Sequence, residues 1–129
     1  MDELTIAALA AKSRAIARYS GFSVGAALEE DNGTIHTGCN IENASYGLTM
    51  CAERVALFKA LSEGARNFRR IAIATDASKP TPPCGACRQL LWEFGGQNLE
   101  ILLVNPQGVQ EVLRIADLLP RAFDHDSLA

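Results

Sequence analysis

The chain lacks an excess of positive charge and lacks a long apolar run, and each absence excludes a class of protein. Twelve lysines and arginines stand against fifteen aspartates and glutamates, which gives a formal net charge of −3. Nucleic acid, or any partner held mainly through phosphates, is therefore not expected. A membrane span needs about 18 consecutive apolar residues, and the sequence has no such run, so we expect no membrane association.

Histidine and aromatic residues are also scarce, which narrows the possible chemistry. There are two histidines, and aromatic residues make up 6% of the chain, without the interleaving of aromatic and basic residues that stacks nucleobases. We expect His36 to face solvent on an alternating strand and His125 to lie in a polar tail, so neither is predicted to bind metal. Any metal binding or catalysis is then expected to depend on residues other than the histidines.

The four cysteines are the remaining candidates for metal or redox chemistry. The first twenty residues mix charged and apolar side chains, unlike a secretion signal, so we expect a cytoplasmic protein with reduced thiols. In that compartment clustered cysteines indicate metal binding or catalysis. The length of 129 residues and the 48% hydrophobic content predict one globular domain over residues 1–129.

The first half of the chain predicts a helix and a hairpin. Ile6, Leu9 and Ile16 share one helical face, which favours an amphipathic helix over residues 3–18. An Asn-Gly pair at 32–33 indicates a turn between two antiparallel strands, with residues 34–40 returning. The polar residues 40–43 that follow are expected to form a loop.

The second half predicts alternating helices and strands. A helix over residues 51–63, with Val55, Phe58 and Leu61 on its apolar face, precedes a buried strand at 71–75. The elements that follow are a helix from 84 to about 94, a strand at 99–104, a returning strand at 109–113 and a short helix at 115–119. A strand, helix and strand in succession place two strands in parallel. The fold class is therefore α/β, with three α/β/α layers around a mixed sheet of about five strands.

Three cysteines lie at two predicted helix starts. Cys84 and Cys87 are separated by two residues, a spacing that can grip one ion, and Cys51 supplies a third sulfur from another helix. Helix N-termini lower the pKa of a thiol and favour thiolates. Three sulfurs leave one tetrahedral position open, which is typical of a catalytic zinc site and predicts one Zn²⁺ per subunit.

Two charged residues beside Cys51 complete this hypothesis. Arg54 lies three residues after Cys51, on the same helical face, so it is expected to donate to the ligand sulfur and offset its charge. Glu53 lies in the first turn, where its side chain can face past the helix end toward the open metal position. A carboxylate there can act as general acid and base in metal-assisted hydrolysis, and the spacing is typical of zinc deaminases.

Other interpretations of the same residues stay open at this point. Cys39 could close a structural zinc site as a fourth ligand, although it has no paired cysteine spacing. Cys84 and Cys87 alone have the spacing of a thiol redox centre, which would leave Cys51 and Glu53 without a role. Glu53 with Arg54 could also be an ordinary solvated helix face.

Four segments of the chain carry a family resemblance. They are YSGFSVGAA at 19–27, GCNIENASYG at 38–47, CAER at 51–54 and PCGACRQ at 83–89. Through them the chain resembles the small homotetrameric zinc-dependent cytidine deaminases almost from end to end. The resemblance implies a cytidine deaminase-like fold and the hydrolytic deamination of cytidine and deoxycytidine to uridine and deoxyuridine, with release of ammonia, in pyrimidine salvage.

The resemblance also implies roles for individual residues. Cys51, Cys84 and Cys87 would hold zinc, and Glu53 would move protons. The residues expected to bind the nucleoside within one subunit are Asn40 and Glu42 for the ribose hydroxyls, Phe22 for the pyrimidine ring and the Ala52 backbone for its polar edge. In a homotetramer a neighbouring subunit would complete the pocket with Ala44, Tyr46 and Phe123.

Two alternative functions are weighed against this one. A deaminase of another cytosine-bearing nucleoside, such as blasticidin S, would share the zinc motifs, although Asn40 and Glu42 favour a ribose. A metal-stabilised binding module without activity would share the metal site alone.

Overall fold

A computed structural model describes residues 1–128, so Ala129, the last residue of the predicted domain, lies outside the described residues. The five strands are β1 (Gly25–Glu30), β2 (Ile35–Cys39), β3 (Phe68–Ala74), β4 (Glu100–Asn105) and β5 (Gly108–Arg114). The four α-helices are α1 (Glu3–Lys12), α2 (Ala52–Ser62), α3 (Gly85–Gly95) and α4 (Ile115–Leu118). Short 3-10 turns cover Tyr46–Leu48 and His125–Leu128. Within residues 1–128 no helix has the length and apolar character needed to cross a bilayer.

The strands form one mixed sheet in the order β2-β1-β3-β4-β5. The pair β3 and β4 is parallel, with α3 between them in sequence, and the other three pairs are antiparallel. The hairpin between β1 and β2 turns at Gly33, whose φ of 92° favours glycine. The predicted mixed sheet and its central third strand are confirmed.

Helices cover both faces of the sheet. On one face α1 packs through Leu4 and Ala8 against apolar residues of the sheet: Ala27, Ala72, Ala74, Leu102 and Val104. On the other face α2, α3 and α4 pack against the alternate residues: Ala26, Leu28, Ile71, Ile73, Ile101 and Leu103. This arrangement confirms the three predicted layers.

The prediction for α1 was wrong in its length and in its buried face. The helix ends at Lys12, because the backbone of Ile16 pairs in extended form with residues 40 and 42. Its buried face carries Leu4, Ala8 and Ala11, whereas Ile6 is 55% exposed. The cause is close packing, since a Cβ on Gly25 of β1 would lie 2.2 Å from the Ala8 carbonyl oxygen. Small residues, not the large apolar ones, mark this contact.

Helix α2 has the predicted position but a different buried face. Ala56, Leu57 and Ala60 face the sheet, and Phe58 is 42% exposed. The reason is again a close approach: a Cβ on Gly38 of β2 would lie 2.5 Å from the Ala56 nitrogen. Beta-strand and helix backbones therefore meet directly beside the first turn of α2.

His36 does not face solvent, so that expectation was wrong as well. It is buried, because its side of β2, shared with Gly38, is turned toward α2. Its Nε2 lies 2.7 Å from Glu30 Oε2, and its Nδ1 lies 3.9 Å from Glu63 Oε2 at the end of α2. The Glu30 carboxylate thus satisfies one nitrogen of a ring that the strand pattern assigned to the surface, and the Glu63 carboxylate lies near the other nitrogen, beyond hydrogen-bond distance.

Candidate functional site

The fold brings three cysteine sulfurs together at the N-termini of α2 and α3. Cys51 and Cys84 are the N-cap residues of the two helices, both with extended backbone, and Cys87 lies in the first turn of α3. The Sγ atoms of Cys51 and Cys84 are 3.9 Å apart, and those of Cys84 and Cys87 are 3.4 Å apart. All three sulfurs lie within 4.8 Å of one another.

These spacings fit a tetrahedral zinc site. Zinc–sulfur bonds of about 2.3 Å at tetrahedral angles place ligand sulfurs roughly 3.8 Å apart. The observed separations of 3.4 and 3.9 Å lie on either side of that value. Over residues 1–128 the metal-binding cluster consists of these three cysteines, and Cys39 on β2 is outside it. Cys39 therefore does not close a four-cysteine structural site with these three sulfurs.

The electrostatics of the cluster favour a thiolate at Cys51. A hydrogen bond from the Cys87 thiol and contacts from Arg54 lower the pKa of Cys51 to about 5. The pKa of Cys87 is raised, because it donates that hydrogen bond and is itself buried. Arg54 Nη2 lies 3.3 Å from Cys51 Sγ, so the guanidinium lies where the sequence analysis expected it. The N-termini of α2 and α3 add partial positive charge, which also stabilises a thiolate.

Glu53 lies beside the sulfurs and is buried. It is 6% exposed, and this burial raises its pKa to about 7, with a smaller contribution from the Cys51 charge. Since Cys51 is the N-cap of α2 and Glu53 lies in its first turn, the helix start aims the carboxylate into the cavity beside the cluster. A carboxyl group whose charged and neutral forms are close in free energy suits proton transfer.

Two of the three cysteines, Cys51 and Cys84, line a cavity of about 340 Å³. That volume is within the range of small-molecule sites, about 300 to 1,000 Å³. Its lining includes seven of the predicted site residues: Phe22, Asn40, Glu42, Cys51, Ala52, Glu53 and Cys84. Its other lining residues are Ser20, Val24, Thr49, Met50, Ile73, Thr75, Thr81 and Pro82.

Asn40 and Glu42 reach this cavity while they hold the loop over residues 19–24. Asn40 accepts from the Val24 N–H and donates to the Phe22 carbonyl, each at 2.9 Å. Glu42 Oε1 accepts from the backbone N–H groups of residues 19 and 20 at 2.9 and 3.0 Å. These donors, with the Ser20 hydroxyl as the largest contributor, lower the pKa of Glu42, which therefore stays ionised.

Three of the seven residues predicted to bind the nucleoside are not brought to this cavity within one chain. Ala44, Tyr46 and Phe123 are exposed, and Tyr46 lies 6.3 Å from the Tyr19 ring in an edge-to-face pair. Tyr46 lines a separate cavity of about 290 Å³ that shares Ser20, Glu42 and Thr49 with the first. The fold therefore leaves these three side chains available to another molecule.

Two residues near the site were missed by the sequence analysis. Ser20 lines the cavity and donates a hydrogen bond to Glu42, and its signal was its place two residues before Phe22 in the segment 19–27. Arg88 donates from Nε to the Pro83 carbonyl at 2.7 Å, and from Nη1 to the Leu118 carbonyl at 3.0 Å. No spacing rule could have identified Arg88, because one of its partners lies 30 residues away in sequence.

Known proteins are similar to this chain in both sequence and fold. The family description "Cytidine and deoxycytidylate deaminase zinc-binding region" matches residues 2–103. A cytidine deaminase of Sporosarcina psychrophila is 44% identical over 100% of this chain and 95% of its own. One of Halalkalibacterium halodurans is 48% identical over 94% of this chain and 92% of its own. The crystal structure of cytidine deaminase from Burkholderia pseudomallei superposes with a TM-score of 0.90 at 50% identity, covering 95% of this chain and 100% of that one.

Proposed function

The chain belongs to the cytidine and deoxycytidylate deaminase family, and from that premise we propose that it hydrolyses cytidine and deoxycytidine to uridine and deoxyuridine. The reaction consumes one water and releases ammonia, as in pyrimidine salvage. The observation that carries this proposal is the buried Glu53 beside a three-sulfur cluster, with Glu53, Cys51 and Cys84 in the wall of one nucleoside-sized cavity. The residue roles below are part of the same proposal.

Cys51, Cys84 and Cys87 would hold the zinc ion through sulfurs whose separations fit tetrahedral geometry. When bound, zinc makes water nucleophilic at neutral pH by lowering its pKa. Three thiolates would give the loaded site a net charge of −1, which weakens that effect. Arg54 counters it by donating to Cys51 Sγ at 3.3 Å, and the N-termini of α2 and α3 act in the same direction.

Glu53 moves the protons of the reaction. Its carboxylate takes a proton from the water that attacks C4 and delivers it to the ring nitrogen. It then takes the second proton from the oxygen now bonded to C4 and delivers it to the amino group, which leaves as ammonia as the C4–N bond breaks and the C4 carbonyl forms. The position supports this role, since Glu53 follows Cys51 by two residues in the first turn of α2 and lines the cavity. Burial at 6% exposure keeps bulk water from competing for those protons.

The remaining lining residues orient the nucleoside. Asn40 keeps one N–H and one carbonyl lone pair free after its bonds to residues 22 and 24, and Glu42 can only accept, which suits the sugar hydroxyls. Phe22 lies along the pyrimidine ring, and the Ala52 backbone, at the open start of α2, reads the polar edge of the base.

A substrate panel tests the reaction. The purified protein is mixed separately with cytidine, deoxycytidine and blasticidin S, and the loss of the amino chromophore and the release of ammonia are measured. We expect turnover of the first two. Turnover of blasticidin S alone would move the substrate to that antibiotic class, and no turnover of any of the three would leave an inert metal-binding module.

We also propose that the chain forms a homotetramer in the cytoplasm, in which Ala44, Tyr46 and Phe123 complete neighbouring pockets. The support is that Tyr46 lines the cavity next to the site, that Tyr46 and Phe123 are 75% and 60% exposed, and that free cysteines need a reducing compartment. Complementation tests the assembly: Glu53→Gln subunits and Phe123→Ala subunits, each impaired alone, should regain activity after mixing and reassembly. Activity that remains the average of the two would contradict pockets completed in trans.

A further inference from the structure

We infer that Ser20 is a positioning residue that orients the Glu42 carboxylate for the sugar hydroxyls of the nucleoside and ties it to the Phe22 backbone. This inference rests on the proposed function, which assigns the sugar to Glu42. It adds a residue for which neither composition nor spacing gave a role. Ser20 touches Glu42 and the loop, so its effect on catalysis passes through them.

The Ser20 hydroxyl lies between the two residues that it would align. Its Oγ donates to Glu42 Oε2 and accepts from the Phe22 N–H at 3.0 Å. A hydroxyl has one donor and two acceptor sites, so this arrangement uses its hydrogen for the carboxylate and keeps one lone pair free. A single side chain thus connects the sugar end of the cavity to the ring end.

The Phe22 peptide groups are held from both sides as a result. Ser20 accepts from the Phe22 N–H, and Asn40 donates to the Phe22 carbonyl at 2.9 Å. Asn40 and Glu42 both lie in the segment after β2, so the loop over residues 19–24 is held by the residues proposed to bind the sugar. Gly21, with a φ of 70°, supplies the tight turn that brings residues 20 and 22 together.

The hydrogen bonds of Glu42 show why Ser20 matters for its orientation. An ionised carboxylate has about four lone-pair sites. The N–H groups of Tyr19 and Ser20 use two of them on Oε1, and the Ser20 hydroxyl uses one on Oε2. Oε2 then keeps one site for a substrate hydroxyl. The Ser20 hydroxyl is the bond that fixes where this site points, because the backbone donors hold the other oxygen.

Variants of this loop separate a positioning role from a merely structural one. Ser20→Ala removes the hydroxyl, Ser20→Thr keeps it, and Ser23→Ala removes another hydroxyl of the same loop that lies outside the Ser20–Glu42–Phe22 connection. The kcat and KM of each variant are measured with cytidine and with 2′,3′-dideoxycytidine, which lacks both ring hydroxyls of the sugar. Thermal melting and zinc content are recorded for each variant.

We expect Ser20→Ala to lower kcat/KM for cytidine about 10-fold, mostly through KM, as for a lost hydrogen bond to a charged group. With dideoxycytidine the loss should be below about 2-fold, because the hydroxyl that Glu42 would receive is absent. In a Glu42→Ala background Ser20→Ala should likewise have little further effect. Ser20→Thr and Ser23→Ala should stay within about 3-fold of the unaltered protein.

Three outcomes would overturn the inference. They are a Ser20→Ala variant as active as the unaltered protein, a loss of equal size with both nucleosides, and a loss that Ser20→Thr does not restore in a folded protein. If the Glu42→Ala chains do not fold, the comparison of the two nucleosides decides alone. Failure of the unaltered protein to deaminate cytidine would instead refute the proposed function, which separates the two cases.

Discussion

Replacing Gly38 by alanine should damage stability and the site together, because β2 meets α2 without a side chain between them. The new Cβ would lie 2.5 Å from the Ala56 nitrogen and 2.7 Å from the Ala52 carbonyl oxygen. These two atoms are four residues apart in α2, where helical hydrogen bonds form. Both are backbone atoms, so no side-chain rotation can relieve the contact.

The magnitude follows from the distances. Ordinary contacts begin near 3.5 Å, so the first turn of α2 must move by roughly 1 Å. Overpacking of this kind costs about 1–3 kcal/mol, and a backbone clash belongs at the upper end of that range. For a chain of 129 residues about 2–3 kcal/mol lowers the melting temperature by about 8–12 °C. The same shift carries Cys51 and Glu53, and a displacement near 1 Å can cost about 100-fold in rate.

Thermal melting, zinc content and cytidine turnover of Gly38→Ala measure these effects. Gly47→Ala is the matched control, since no atom lies within 4 Å of a Cβ built there. We expect the control to keep its melting temperature within about 2 °C. A Gly38→Ala protein with unchanged melting and unchanged turnover would refute the claim that backbone contact between β2 and α2 sets the position of the site.

Two further changes test the supports of the cysteine cluster and of the sheet. Arg88→Met removes the side chain that donates to the buried carbonyl of Pro83, which is next to Cys84. The rate at which zinc is lost to a chelator should therefore rise about 10-fold, with Gln89→Met as the control variant. Hydrogen bonds from Arg70, and to a smaller extent from Arg69, hold the pKa of Glu29 below its ordinary value of 4.5. The ionised carboxylate therefore stabilises the folded protein above pH 4.5, and this contribution is lost as the pH falls below that value. Urea unfolding should therefore show Glu29→Gln about 2 kcal/mol less stable than the unaltered protein at pH 7, with the gap narrowing below pH 4.5; a gap that does not change with pH would contradict this.

The sequence was sufficient to predict the elements that carry local signals. The Asn32-Gly33 pair marks the turn after β1, Gly64 follows the end of α2, and the pair Gly95-Gly96 lies at the end of α3. The parallel pair of β3 and β4 followed from one strand, helix and strand in succession. The convergence of the cysteine segments followed because both precede helices that pack on the same face of the sheet.

What could not be predicted depends on contacts between distant backbones. The large side chains of α1 and α2 suggested the buried faces, but Gly25 and Gly38 let the sheet approach so closely that alanines line the contacts. His36 was assigned to solvent because alternation does not tell which face of β2 a helix covers. Its two carboxylate partners come from β1 and from the end of α2, so no local pattern contains them.

The central claim is that Glu53 moves protons beside the three-cysteine zinc site. The most direct test is the turnover of cytidine by Glu53→Gln, compared with the unaltered protein after both are shown to carry one zinc per chain. Removal of a general acid and base costs about 100-fold to 10,000-fold in rate, so we predict a loss in that range with the zinc retained. Turnover within a few-fold of the unaltered protein would contradict the account.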